Sequence, residues 1–246
     1  MRARVVAREV LDDLAQDDPH AIQSRRDLQR VHWAMGTRAI LLRGLQGMSE
    51  LPQTGKRMRI LELGAGDGSL MLGVARALAP TWAPVDLTLL DTQSLITQET
   101  VANYSDVGWT ATACVRDAFD WAAGPGGANR HGSPTTHWDL IVANLFLHHF
   151  EGAELAGLLR AIADRSDRFL ACEPHRAWLS LLGSHLIGAL GSNAVTREDA
   201  VISVHAGFSG GELSALWPDV GDKWAVTEYA AGLFSHCFRA ELIQAD

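Results

Sequence analysis

Cysteine is scarce in this chain of 246 residues. Cys114, Cys172 and Cys237 lie far apart and form no Cys-x-x-Cys pair. That pattern suggests reduced thiols and carries no zinc signature, so no metal is expected. Positive charge is also in deficit: the net charge is -8. A nucleic-acid partner needs a basic face, so that class is disfavoured. No apolar run approaches the roughly 20 residues of a membrane span. The first residues, Met1 to Arg8, are basic, but Glu9, Asp12 and Asp13 follow where a secretory leader would have an apolar core. A soluble cytoplasmic protein is expected. What remains is ordinary for a globular enzyme, with 47% hydrophobic and 20% charged residues. The length suits one large α/β domain or a domain with an appendage.

The most informative stretch runs from Arg59 to Leu78. Ile60 to Leu63 is an apolar run of the kind that makes a buried strand. Gly64, Gly66 and Gly68 follow at alternate positions, and Leu70, Val74 and Leu78 then recur at helical spacing. A strand, a glycine turn and a helix bring backbone N–H groups to a ligand at close range. A dinucleotide turn would be Gly-x-Gly-x-x-Gly. Here the third glycine comes one residue early, and Glu62 sits inside the strand, where it would do nothing for a phosphate. A cationic ligand without phosphate fits better.

This acidic-x-Gly-x-Gly-x-Gly turn resembles motif I of the class I S-adenosylmethionine (SAM) methyltransferases. The resemblance covers about residues 57 to 241. It implies a Rossmann-like seven-stranded, mostly parallel α/β sheet, its last strand antiparallel, flanked by helices. It also implies SAM as cofactor and S-adenosylhomocysteine (SAH) as product, with Glu62, Gly64, Ala65, Gly66 and Gly68 near the methionine end.

Val85 to Asp91 is the second strand, and Asp91 at its end is placed to accept from ribose hydroxyls, with Thr92 and Gln93 beside it. Thr110 to Val115 is the third. After it Arg116, Asp117 and Ala118 fall where the family holds adenine; an N-cap role is the plainer alternative for Asp117. Trp138 to Phe150 resembles motif IV, a buried strand with a polar turn, adding Asn144 and Leu145 to the cofactor site. The turn carries His148-His149, as in the small-molecule branch, and lacks the Asn/Asp-Pro-Pro-Tyr of DNA and protein N-methyltransferases. Arg168 to Glu173 is the fifth strand. Neighbouring strands four and five would place His149 beside Glu173, an imidazole base with a carboxylate to orient it; His148 is the second candidate. His236 is expected to be a packed core residue.

Around this domain, 57–246, stands an N-terminal helical cap or lid, 1–50. It is read as a helix over residues 4 to 15 and another from Arg25 to Leu45, with Ser24 and Asp27 as its capping box. His32 and Met35 on the second helix are candidate substrate contacts. Gly44 to Lys56 is the expected linker, and Gly124 to Thr136 an expected flexible surface loop. A hydrophobic cap insertion at about 174–210 contributes His175, Trp178, Leu182 and His205 as further substrate contacts. Trp178 to Leu190 either roofs a hydrophobic pocket or forms a homodimer interface. The activity this implies is methyl transfer to a phenol-type hydroxyl of a small hydrophobic metabolite. The alternatives are C-methylation of a quinone- or polyketide-like ring, an NAD(P)-dependent oxidoreductase, and a SAM-binding scaffold without catalysis.

Overall fold

A computed structural model describes residues 3–48, 57–124, 137–218 and 223–243. In chain order the helices ahead of the sheet are α1 (Val10–Asp13), α2 (Pro19–Met35) and α3 (Thr37–Gln46). The alternating part follows: β1 (Met58–Leu63), α4 (Ser69–Leu78), β2 (Val85–Asp91), α5 (Gln98–Ser105), β3 (Trp109–Val115), α6 (Ala118–Ala123) and β4 (Leu140–Asn144). A 3-10 turn at Leu147–His149 leads to α7 (Gly152–Arg165) and β5 (Arg168–Pro174). Then come α8 (Trp178–Leu186), α9 (Ala194–Ala206), α10 (Glu212–Leu216), β6 (Trp224–Ala231) and β7 (Ser235–Leu242).

The described strands form a seven-stranded sheet in the order β3-β2-β1-β4-β5-β7-β6. β7 runs antiparallel to both β5 and β6, and the other pairings are parallel. The expected fold class is therefore observed. β1 and β5 are nearly continuous apolar runs because parallel strands covered by helices are buried on both faces. Alternation along β1 sends Ile60 into a core with α3, α4 and α5, and Leu61 into a second core with α6 and α7. The β3-to-β4 connection carries the chain from one half of the sheet to the other, and the strand order reverses between β1 and β4. A cleft opens there, at the carboxyl ends of the strands, and ligands bind α/β sheets at such a point.

The segments ahead of β1 depart from expectation. Residues 4 to 15 are not one helix; only Val10–Asp13 makes a turn, because residues 3–9 cross the fold as a strap. Arg4 donates to the carbonyls of Ala206, His148 and Phe150, and Val5 N–H donates to His205. α2 starts at Pro19 rather than after Ser24. Asp18 accepts from His20 N–H and Pro19 occupies the first turn, where its missing N–H costs nothing. Ser24 and Asp27 form no capping box; both are buried and bond Asn193, the residue before α9. Gly36, left-handed at φ 67°, ends α2 and divides the expected long helix in two. Gly44 lies inside α3, and the rest of the expected linker beyond residue 48 falls outside the described residues, as does 125–136 of the expected loop. Within 174–210, α9 was not anticipated; it packs against α1, α2 and α8 above the carboxyl edge of the sheet.

Candidate active site

The glycine turn closes on itself through β2 and β4. Gly64 is left-handed at φ 68°, and a Cβ there would stand 2.5 Å from the Phe146 ring, so only glycine lets the β1 and β4 turns touch. Gly66, at φ 56°, meets nothing within 4 Å on its Cβ side and faces open space. Asp91 accepts from Gly66 N–H at 2.8 Å and Gln93 N–H at 2.9 Å, and so fixes the turn against the end of β2. Gly68 lies behind the turn, its carbonyl accepting from the Tyr104 hydroxyl at 2.7 Å.

A cavity of about 230 Å³ opens beside the turn, between it, α2 and the His148-His149 turn. Glu62, Gly64, Ala65, Gly66, Asn144, Leu145, His148, His149 and His32 all line it. Three of its side chains end in buried atoms with no hydrogen-bond partner: Glu62 Oε2, Asn144 Oδ1 and His32 Nε2. Such atoms are costly unless a ligand completes them. Burial, with the charges of Asp67 and Asp91, raises the Glu62 carboxyl to about 8. Burial likewise lowers His32 to about 4, so its ring stays neutral. Leu145, also in the wall, has φ 49°, a left-handed conformation rare outside glycine and a local strain of the kind concentrated at ligand sites.

The histidine turn corrects one expectation. Glu173 is fully buried and orients His148, not His149: His148 Nδ1–H donates to it at 2.8 Å. The backbone N–H groups of Phe146, Leu147 and His148 donate to the same carboxylate. The other ring nitrogen of His148, Nε2, lies 3.3 Å from Glu9, which the N-terminal strap delivers and which also accepts from the Ser203 hydroxyl. Burial disfavours an imidazolium here, yet the bonds and charges of Glu173 and Glu9 prevail and raise His148 to about 9. His149 is lowered instead, by burial and by the neighbouring charge of His148, while its Nδ1 stands 3.6 Å from Asp12. Glu9 falls below the usual carboxylate range: burial works to raise it, and His148 overrides that.

A second cavity of about 340 Å³ adjoins the first. Leu28, Val31, Met35, Ile187, Val204 and Phe234 give it an apolar wall, and Glu9, Leu11, Leu28, Leu145 and Ser203 line both cavities. Of the two expected substrate contacts on α2, Met35 lines this apolar cavity and His32 lines the cavity at the glycine turn.

Four expected substrate contacts are elsewhere. Trp178 and Leu182 are 68% and 51% exposed, because α8 turns Ser180 and Ser184 inward and its large side chains outward. His205 is exposed on the outer side of α9, and His175 stacks on His236 at 5.7 Å; neither lines either of the two cavities described. His236 is buried against Glu228, as expected. Thr92, Gln93, Arg116, Asp117 and Ala118 lie at the carboxyl ends of β2 and β3, outside the cavity lining. Asp117 caps α6 by accepting from Phe119 and Asp120, and Gln93 accepts from Arg25. Sequence reasoning missed Glu9, Asp12 and Ser203. Glu9 and Asp12 precede the sheet by some 50 residues, and no local pattern marks them.

No family profile and no curated protein matches the chain. Among solved structures it is similar to the plantazolicin methyltransferase BpumL in complex with SAH, at 14% identity and TM-score 0.62, covering 92% of each chain. It is similar to an O-methyltransferase family protein from Burkholderia thailandensis at 16% identity and TM-score 0.58, covering 94% of this chain and 62% of that one. It also resembles the magnesium protoporphyrin IX methyltransferase of Synechocystis PCC 6803 with bound SAH at 15% identity and TM-score 0.50, covering 95% and 91%. The chain shares their Rossmann-like fold.

Proposed function

We propose that this chain is a SAM-dependent methyltransferase that acts on a hydroxyl of a small hydrophobic acceptor. One observation carries the reading: the cavity at the glycine turn gathers three buried, unpartnered polar atoms, Glu62 Oε2, Asn144 Oδ1 and His32 Nε2. A ligand bearing an ammonium and other donors satisfies such a set, and an anionic phosphate does not. Glu62 is suited to the ammonium, since a cation beside it draws off the proton that burial makes it keep. Gly64 to Gly66 offer backbone at close range, and Asp91 retains lone pairs for ribose hydroxyls beyond its two present bonds. Thr92, Gln93, Arg116, Asp117 and Ala118 are assigned to the adenine end, at the carboxyl edge of β2 and β3.

Bound SAM supplies an electrophilic methyl group on sulfur and leaves as SAH. The acceptor is assigned to the adjoining apolar cavity, its hydroxyl directed at the wall where Glu9, Leu145 and Ser203 line both spaces. Alignment of acceptor against donor supplies much of the rate. As the acceptor oxygen bonds carbon, its proton must leave. His149 is the fitting base, because its lowered affinity for protons keeps the ring neutral at pH 7, with Asp12 beside it. His148 already holds a proton between Glu173 and Glu9; its part is to fix the turn. The helices ahead of β1 and the 174–210 segment serve as the cap over both cavities, and no described helix is long and apolar enough to cross a membrane.

The test is turnover of methyl-labelled SAM with a panel of phenolic and quinone acceptors. Label transferred to a phenolic oxygen is the expected result. Label on a ring carbon would reassign the acceptor atom, and no transfer to any acceptor despite SAM binding would leave a scaffold.

A further inference from the structure

Glu9, His148 and His149 each present one ligand atom at the junction of the two cavities, and these atoms all lie within 4.8 Å of one another. The geometry points to a binding site for a divalent transition-metal ion held by these three side chains. His148 Nε2 and Glu9 Oε1 are 3.3 Å apart. Donors about 2.0–2.1 Å from a tetrahedral ion are separated by roughly 3.3–3.4 Å, so that edge is already at metal-binding length. The third donor, from His149, lies within 4.8 Å of both, on the partly exposed side of the turn.

The surroundings support the same reading. A metal-binding imidazole characteristically gives its other N–H to a carboxylate, which fixes the tautomer and aims the free nitrogen at the ion. Glu173, fully buried and bonded to His148 Nδ1 at 2.8 Å, stands in that relation to His148. Asp12 stands near His149 Nδ1 in a looser version of it, at 3.6 Å. Ser203 holds Glu9 in place by donating to the carboxylate oxygen that faces His148. Two imidazoles and one carboxylate favour a first-row transition ion over Mg²⁺ or Ca²⁺, which take oxygen ligands. Three protein donors leave a coordination position open, as catalytic sites do. Sequence spacing could not disclose the site, because Glu9 and His148 are 139 residues apart.

The role of the ion rests on the methyltransferase reading. It would bind the acceptor's hydroxyl oxygen at the open position and lower that hydroxyl's affinity for its proton, which passes to water. The oxygen then takes the methyl, the S–CH₃ bond breaks, and its electron pair stays on sulfur. In that scheme His149 contributes a ligand nitrogen instead of accepting the proton, and the ion displaces to solvent the proton that His148 Nε2 otherwise holds toward Glu9.

The experiment titrates chelator-treated full-length protein with Co²⁺ alone, following its visible d–d absorption, and titrates the same sample with SAH. One Co²⁺ per chain is expected, with the absorption of a four- or five-coordinate ion. Glu9→Gln and His149→Ala should each weaken Co²⁺ binding by about 100-fold or more, and Glu173→Gln by about 10- to 100-fold through the loss of His148 orientation. His137→Ala, at an exposed pair with Asp167, should leave it unchanged. Circular dichroism shows which variants are folded, so the surface-side His149→Ala remains informative if a buried substitution is not. No saturable Co²⁺ binding, or unchanged binding in folded Glu9→Gln and His149→Ala proteins, overturns the metal site. SAH binding without Co²⁺ overturns the metal site alone. Co²⁺ binding without SAH binding overturns the methyltransferase reading and leaves the metal site standing.

Discussion

The cavity at the glycine turn and the apolar cavity beside it share a wall but differ in how the chain makes them. The first is built around one local run, Glu62, Gly64, Ala65, Gly66 and Asp67, with Asn144 and Leu145 from the adjacent strand end, and α2 and the N-terminal strap close its other side. The second is assembled from α2, α8, α9 and single residues such as Pro174 and Phe234. A short-range site is rigid because one strand-turn-helix unit sets it. A long-range site depends on how separate helices pack, so its shape can change without disturbing the turn. The histidine turn lies between them and draws on both, with Glu173 from β5 on one side and Glu9 from the N-terminal strap on the other.

The largest effect expected from breaking this arrangement is on stability. Glu173→Ala leaves a buried imidazolium and three backbone N–H groups without their acceptor. It should lower the free energy of unfolding by about 3–5 kcal/mol, measured by urea denaturation. Loss below about 1 kcal/mol would mean that Glu173 does not hold the turn.

Gly66→Val should act on the first cavity alone. It puts a branched side chain at φ 56° into the open space beside the turn, and SAH affinity should fall by about 100-fold or more while the protein stays folded. Retained affinity would remove the turn from the cofactor site. On the other side of the shared wall, His149→Ala should lower turnover by roughly 10²-fold with SAH affinity nearly intact. Wild-type turnover would exclude His149 as base.

A smaller effect tests Glu62. Its unliganded carboxyl titrates near 8 against an ordinary 4.5. The folded protein therefore holds this proton between those values, and the stability that neutral Glu62 contributes declines as pH rises from 4.5 toward 8. A bound ammonium favours the ionised form, so SAH binding at pH 7 should release about one proton. Calorimetry in buffers of different ionisation enthalpy measures that release. Glu62→Gln should abolish it and weaken SAH by about tenfold; unchanged proton release would place the cation elsewhere. The smallest effect belongs to the outer face of α8. Trp178→Ser with Leu182→Ser should change unfolding free energy by no more than about 0.5 kcal/mol, since both side chains are exposed. A marked fall in acceptor turnover would restore them to the substrate site.

The legibility of the sequence follows the same division. The seven-stranded sheet with its last strand reversed is what the resemblance carried by the glycine turn implies. Three of its strands are legible in their own right because Ile60 to Leu63, Val85 to Asp91 and Arg168 to Glu173 are apolar runs separated by helical periods. Glu62 and the glycines stood out because their chemistry lies within eight residues. The partner of Glu173 was misassigned because adjacent residues on a 3-10 turn point in different directions, and sequence alone does not say which faces the strand. Trp178 and Leu182 misled because large apolar residues usually point inward, whereas α8 buries Ser180 and Ser184. Glu9 was invisible for another reason. Its place depends on Arg4 and Val5 pinning the strap to residues about 140 to 200 positions away.

The measurement that tests the central claim most directly is calorimetric titration of the full chain with SAH and, separately, with NADH. Micromolar binding of SAH with no heat from NADH is the predicted result. Failure to bind SAH, with or without NADH binding, would contradict the assignment of the glycine-turn cavity to SAM and with it the proposed methyl transfer.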